Sequence, residues 1–352
     1  MDYTGLGKRG FFPVNRRLTD SERNARYDQR QSNHELPMDF LSVISFNSNY
    51  IDLVDRWYPL RGFWAWLSIM VGLISLIAGS ALLYAIFFPL DHPMITGLGE
   101  KVFLALLLMM FFSIAWVGAW YAFKVECLSY THYPMRLNRK TRQVYFFRQN
   151  GTALRVPWDS LFLTLGQVNS PLAGKTYDLR AHVLDDDGET VRETFSLGYP
   201  SILGNAKSID KFWAFLQPYM EAEDGVEKTW RHLRENTGYL LPLDNRKEGW
   251  RWSIVQNYAW TGHWPWLQFI ASPFLGLNAL GRMLAMSTSK TPQWPEEVER
   301  ANPVDAEDPY RLTWRDNGPI GWWELYWPLI CTVIGVGTFV GILGWIISRL
   351  WL

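Results

Sequence analysis

Cysteine is almost absent from this chain: two residues in 352, Cys127 just past one long apolar run and Cys331 inside another. A disulfide framework is excluded by number and placement, and a reducing compartment fits. Histidine is nearly as sparse. None of His34, His92, His132, His182, His232 and His263 stands at ligand spacing from another histidine or from a cysteine, so the pattern of a zinc site is missing. Charge of one sign is not in excess either. Lysine plus arginine number 34 and aspartate plus glutamate 34, which leaves no global field to recruit nucleic acid. There is no glycine-rich phosphate loop, no serine in a glycine-flanked elbow and no nucleophile with a base beside it. The expectation is a chain without cofactor, metal or catalytic activity.

What the chain does have is apolar length. Residues 63–90 and 102–123 are free of charge, and so are residues 325–348. Each run exceeds or matches the roughly 20 helical residues that cross a hydrocarbon core of about 30 Å. The first two are separated by a link too short for a domain, which predicts a helical hairpin. The N-terminal stretch is charged for dozens of residues before any apolar run, so it lacks the form of a cleavable signal peptide, and the first span is expected to insert the chain.

Basic residues orient the hairpin. Arg16, Arg17, Arg23, Arg26, Arg30, Arg56 and Arg61 precede it, and Lys124, Arg136, Arg139, Lys140 and Arg142 follow it. The link offers Lys101 alone, offset by Asp91 and Glu100. The positive-inside rule then places the N-terminus and the central region in the cytoplasm. The segment 264–286 is apolar but interrupted by Pro265, Pro273, Asn278 and Arg282. It is read as lying in the interface, with a crossing as the alternative. Trp250, Trp252, Trp260, Trp264 and Trp266 ahead of it read as an aromatic belt.

Residues 124–222 read as antiparallel strands followed by a helix. Runs at 143–148 and 152–158 flank Gln149-Asn150-Gly151, and runs at 177–184 and 190–197 flank Asp185-Asp186-Asp187-Gly188; both are hairpin signals. From Asn205 the period changes, with Ile209, Phe212, Trp213, Phe215, Leu216 and Met220 on one helix face. The expected fold is therefore a membrane α-helical hairpin plus a C-terminal span, joined to a cytoplasmic α+β domain. That domain is an antiparallel sheet or small barrel with a C-terminal helix, in the order of a pleckstrin-homology (PH-like) domain. The acidic turn 185–188 fails the calcium-loop pattern, because Val183 and Thr194 fall at ligand positions, and reads as a solvated turn. The expected divisions are a tail over 1–62, the hairpin over 63–123, the domain over 124–222, a Trp-rich region over 223–321 and a final span over 322–352.

Two groups of residues are candidates for contacts. Arg136, Arg139, Lys140, Arg142 and Arg148 form a basic cluster after the second span, suited to anionic lipid or to a partner; the plain alternative is an exposed turn that sets topology. Gly337 and Gly341 make a GxxxG pair that lets helices approach closely and would serve a homo-oligomer; the alternative is the ordinary glycine content of a membrane helix.

The stretch 134–161, PMRLNRKTRQVYFFRQNGTALRVPWDSL, preceded by a two-span hairpin, resembles a bacterial membrane family known only as a domain of unknown function, numbered 6708. The segment 292–310, PQWPEEVERANPVDAEDPY, resembles that family's tail, a Pro-Trp-Pro turn leading into an acidic run. The motifs are structural rather than catalytic. The resemblance implies a gene neighbourhood of type VI secretion and a role beside a toxic effector, as an immunity protein or accessory factor. The functional expectation is a multi-pass inner-membrane interaction protein whose partners are the lipid bilayer and a co-encoded effector or secretion component. The alternatives are a scaffold whose cytoplasmic domain senses anionic lipid and, third, a membrane enzyme or transporter. The last is disfavoured because the three clear spans carry no ionisable side chain at depth.

Overall fold

The computed structural model describes residues 13–31, 33–88, 97–170, 174–201, 205–262 and 264–350. Most of the short link expected between the first two spans lies outside these residues. The chain divides into two compact units, each assembled from three segments: unit 1 from Met1–Leu60, Tyr130–Glu248 and Lys290–Pro319, unit 2 from Arg61–Ser129, Gly249–Ser289 and Ile320–Leu352.

Unit 1 holds two five-stranded antiparallel sheets. One runs β3-β4-β5-β6-β7, with β3 at Val43–Phe46, β4 at Tyr50–Leu53, β5 at Met135–Asn138, β6 at Gln143–Phe147 and β7 at Ala153–Pro157. The other runs β1-β10-β9-β8-β2, with β1 at Arg16–Arg17, β2 at Arg26–Tyr27, β8 at Leu161–Ser170, β9 at Gly174–Leu184 and β10 at Thr190–Ser201. The turns behave as their residues dictate: Gly151 and Gly188 supply φ values of 82° and 66°. Phe146 of one sheet stacks on Phe195 of the other at 3.9 Å. The helices α4 (Lys207–Glu221) and α5 (Gly225–His232) follow, and α4 buries Ile209, Phe212, Trp213, Phe215 and Leu216 in the same core.

Two features depart from the expected layout. Residues within 1–62 are part of the folded unit rather than a separate tail: β3 and β4 lie in the first sheet, and β1, β2 and the short helix α1 (Asp20–Asn24) belong to unit 1 with the second sheet. The alternation of 143–148 predicts a half-buried strand, yet β5 is buried at all four positions and β6 at four of five. The cause is a second cover on the outer face. Trp294 packs edge-on against Phe147 at 5.8 Å, as part of a strap that includes the helix α9 (Glu296–Ala301).

Unit 2 contains the helices α2 (Phe63–Phe87), α3 (Leu98–Glu126), α6 (Trp250–Tyr258), α7 (Pro265–Ile270), α8 (Ser272–Thr288) and α10 (Trp322–Leu350). Among the described residues, three helices are long and apolar enough to cross a membrane: Tyr58–Phe87, Leu98–Glu126 and Trp322–Arg349. α2 and α3 pair as the expected hairpin, with Gly72 under Trp116 and Gly79 under Phe112. At its base the Glu126 carboxylate accepts from the Gly62 and Ala65 N–H groups at 2.9 and 3.0 Å, capping the start of α2.

Candidate functional site

β4 and β5 are hydrogen-bonded neighbours, in the register Tyr50↔Asn138, Asp52↔Arg136 and Leu53↔Met135. That register brings a carboxylate and a guanidinium face to face across the ladder. Arg136 donates through Nε and Nη2 to the two oxygens of Asp52 at 2.8 and 2.9 Å, and Ser45 Oγ donates to the same carboxylate at 3.0 Å. The guanidinium lies over the Tyr50 ring at 4.0 Å and the Trp294 ring at 5.3 Å. Its Nη1 stands 3.5 Å from Glu299. Burial alone pulls the Arg136 pKa down, but the Asp52 charge and hydrogen bonds outweigh it and hold the group above arginine's ordinary value. Burial, reinforced by Asp52, pushes the Tyr50 phenol up.

The strap over 292–313 is pinned at several points. Asn138 Nδ2 donates to Asn302 Oδ1 at 2.6 Å, and the Ser48 N–H and hydroxyl both donate to Asp308 at 2.7 Å. Leu312 exchanges two backbone hydrogen bonds with Phe46 on the edge strand β3. The Asp308 carboxyl is opposed by burial, yet the Ser48 bonds hold it below its usual value. Beside Arg136 a cleft of about 210 Å³ remains open, lined by Ser45, Asp52, Asp244, Glu299, Arg136 and Arg311 among others. Among the described residues no histidine or cysteine lines it, and its lining offers hydrogen bonds and charge of both signs. Among the described residues no three His, Cys, Asp or Glu side chains are grouped to hold a metal ion.

The basic cluster is drawn apart by this arrangement. Arg136 forms the floor of the cleft. Arg139 donates to the Tyr219 and Ala222 carbonyls at 2.8 and 2.5 Å, closing the C-terminal end of α4. Arg142 bridges Asp159 and Glu221, and both hydrogen bonds hold it above its ordinary pKa. Arg148 pairs with Glu193, and Lys140 is exposed at the β5–β6 turn. Gly337 and Gly341 have open space where a Cβ would stand, whereas Gly335 meets the Ser272 carbonyl at 1.9 Å from its Cβ position. The acidic turn carries an Arg192–Asp185 pair at 2.5 Å, and Asp187 caps Thr190 and Glu189.

One constellation had no signal at short spacing. Glu22 Oε1 is 3.3 Å from His182 Nε2, and His182 Nδ1 is 2.8 Å from Thr194 Oγ1. The order is that of a catalytic triad, but His182 and Thr194 are 0 % and 1 % exposed, and Glu22 is tied to Arg16. It fastens α1 to the second sheet.

A sequence family described only as a family of unknown function, DUF6708, matches residues 109–305. The chain belongs to the DUF6708 family. No curated protein and no solved structure matches it. The DUF6708 match begins within α3 and ends within the strap, so it holds both Arg136 and Glu299, while Asp52 lies on β4 ahead of it.

Proposed function

We propose that this DUF6708 chain is a non-enzymatic, membrane-anchored interaction protein of the bacterial inner membrane, in which unit 1 presents the cleft beside Arg136 to a protein partner. The observation that carries the reading is topological. β4 and β5 are direct neighbours in a sheet, and the connection between them is the α2–α3 hairpin. The chain therefore passes through the apolar hairpin between two neighbouring strands of unit 1, which tethers that sheet to the membrane as a receptor platform requires. The order β4 to β7, β8 to β10, then α4 supports the PH-like reading of unit 1, and the basic residues on both flanks of the hairpin support an N-terminus in the cytoplasm. Immunity or an accessory role beside a type VI effector is the version that the resemblance favours.

The test is growth of a deletion strain against its parent, each carrying the neighbouring gene on a plasmid. Selective killing of the deletion strain, rescued by this chain but not by Asp244→Lys or Glu299→Gln, is expected. Equal growth removes the immunity version. The lipid-sensing alternative draws less support, because Arg136, Arg139, Arg142 and Arg148 are engaged by groups of the chain itself.

A further inference from the structure

Residues 249–289 leave unit 1 after Glu248 and rejoin it at Lys290. Between these points α6 runs out and α8 runs back. Asn257 Nδ2 donates to the Leu275 carbonyl at 2.8 Å, and Asn278 Nδ2 donates to Asn257 Oδ1 at 2.5 Å, so the two helices lie side by side. The chain turns between them at Gly262, with φ of 60°, and at the break between α7 and α8. Gln268 closes this turn by donating to Thr261 Oγ1 at 3.0 Å and to the Gly262 carbonyl at 3.2 Å.

The neighbours of α8 are the apolar helices. Phe274 packs edge-on against Trp66 at 5.8 Å, and a Cβ on Gly281 would stand 2.3 Å from the Gly62 carbonyl. On the other side a Cβ on Gly276 would meet the Thr332 carbonyl at 2.9 Å, and one on Gly335 would meet the Ser272 carbonyl at 1.9 Å. Backbone touches backbone there, as it does between helices packed within a membrane. Gly335 falls thirteen residues past Trp322, the first residue of α10. At about 1.5 Å per residue that is about 20 Å along α10, while Phe274 nearby lies against Phe63 and Trp66 in the first turns of α2. The α7–α8 junction thus meets α10 near the middle of its length, and α7 packs there too. The side of α7 turned away from these contacts is apolar: Trp264, Trp266, Phe269 and Ile270 are 58 %, 57 %, 48 % and 69 % exposed.

Polar backbone in hydrocarbon must find partners inside the protein. Asn257 and Gln268 supply such partners to the Leu275 and Gly262 carbonyls. Besides the amide bonds above, Thr332 Oγ1 bonds Tyr258 Oη at 3.2 Å, and Arg282 is fully buried. We propose that 249–289 is a re-entrant helical hairpin that dips into one leaflet and leaves on the side it entered. Trp264, Trp266, Phe269 and Ile270 form its tip and contact lipid acyl chains. This explains how a segment with Pro265, Pro273, Asn278 and Arg282 packs beside spanning helices without crossing. It rests on the membrane reading above and goes beyond it.

The experiment uses the full chain in membrane vesicles and in proteoliposomes, with single cysteines on a Cys127→Ser, Cys331→Ser background. Arg246→Cys and Lys290→Cys flank the segment and should react with an impermeant maleimide from the same side. Spin labels at Trp266→Cys and Ile270→Cys should relax faster with oxygen than with a water-soluble nickel chelate. Labelling of the two flanks from opposite sides means a crossing and overturns the proposal. Dominance of the nickel chelate at both tip positions places the tip in water and overturns it as well. Release of the chain by alkaline carbonate is a separate outcome, because it removes the membrane reading itself. If the cysteine-free background fails to insert, native protein reconstituted with a photoactivatable acyl chain reports the same contact: crosslinks mapping to 264–270 support it, and their absence beside crosslinked α3 overturns it.

Discussion

The two units bury polar groups by different means. Unit 1 closes its buried charges with opposite charges: Arg56 with Asp178 at 3.1 Å, and Arg136 with Asp52 at 2.8 Å. Unit 2 relies on amides, hydroxyls and backbone: Asn257 on the Leu275 carbonyl, Asn278 on Asn257, and the Glu126 carboxylate on N–H groups at the start of α2. Its helices also approach through glycine, at Gly276, Gly281 and Gly335. The difference fits the surroundings proposed above for each unit. Buried charge pairs lose least where further dipoles surround them, whereas neutral hydrogen bonds and close packing are the cheaper devices in an apolar medium.

The largest effect is expected where that contrast is broken in unit 1. Asp178 is fully buried between Arg56 and Arg180, and although burial opposes it, their charges hold its pKa down. Asp178→Asn takes the carboxylate from two guanidinium groups and should cost about 3–5 kcal/mol, the range for a broken buried pair. Asp52→Asn takes it from one, which keeps Glu299 nearby, and should cost less. Thermal unfolding in detergent measures both, and equal small losses would mean that these pairs are not the clamp of the sheets. Neighbouring Gly166 is part of the same device, because Arg180 lies where its Cβ would stand.

In unit 2 the comparable break is steric. Gly335→Leu drives a side chain into the Ser272 carbonyl and should cost about 1–3 kcal/mol, as overpacking does. Gly337→Leu meets open space and should leave monomer stability unchanged. If the Gly337 and Gly341 face joins two copies, the same change lowers the dimer fraction in a crosslinking assay. Equal effects of the two substitutions on stability would remove the assignment of Gly335 as the contact glycine.

Much of the local structure was legible in the residues. β6, β7, β9, β10 and α4 fall where period and turn chemistry put them, because hairpins and amphipathic helices are decided within a dozen residues. β3 and β4 were not legible. They are four residues each, and the partner of β4 lies beyond two long apolar helices. The site shows the same limit. Arg136 stood out as part of a basic run, but its burial depends on Asp52, Tyr50 and Trp294, which come from distant segments. A pattern of alternate residues shows one covered face; the strap that covers the other face of β5 and β6 leaves no mark on those strands.

The smallest expected effect concerns how that strap is held. The carboxyl of Asp308 is opposed by burial and is held below its ordinary 3.8 by the Ser48 N–H and hydroxyl and the Tyr310 N–H. A carboxyl whose folded-state pKa is depressed adds stability that is full above its unfolded value and is lost as pH falls through the folded one. The strap should therefore loosen as pH drops below about 4, while neutral pH leaves it closed. Ser48→Ala removes one of the bonds and should cost about 1 kcal/mol or less at pH 7. Hydrogen exchange at the Phe46 and Leu312 amides, corrected for intrinsic rates, reads the strap directly, because those two groups bond each other's carbonyls. The gap between wild type and Ser48→Ala should shrink on acidification, since protonated Asp308 gains little from the hydroxyl. A gap that stays constant from pH 7 to pH 3 would place the anchor elsewhere, in the Asn138–Asn302 bond or the packing of Trp294, neither of which titrates in that range.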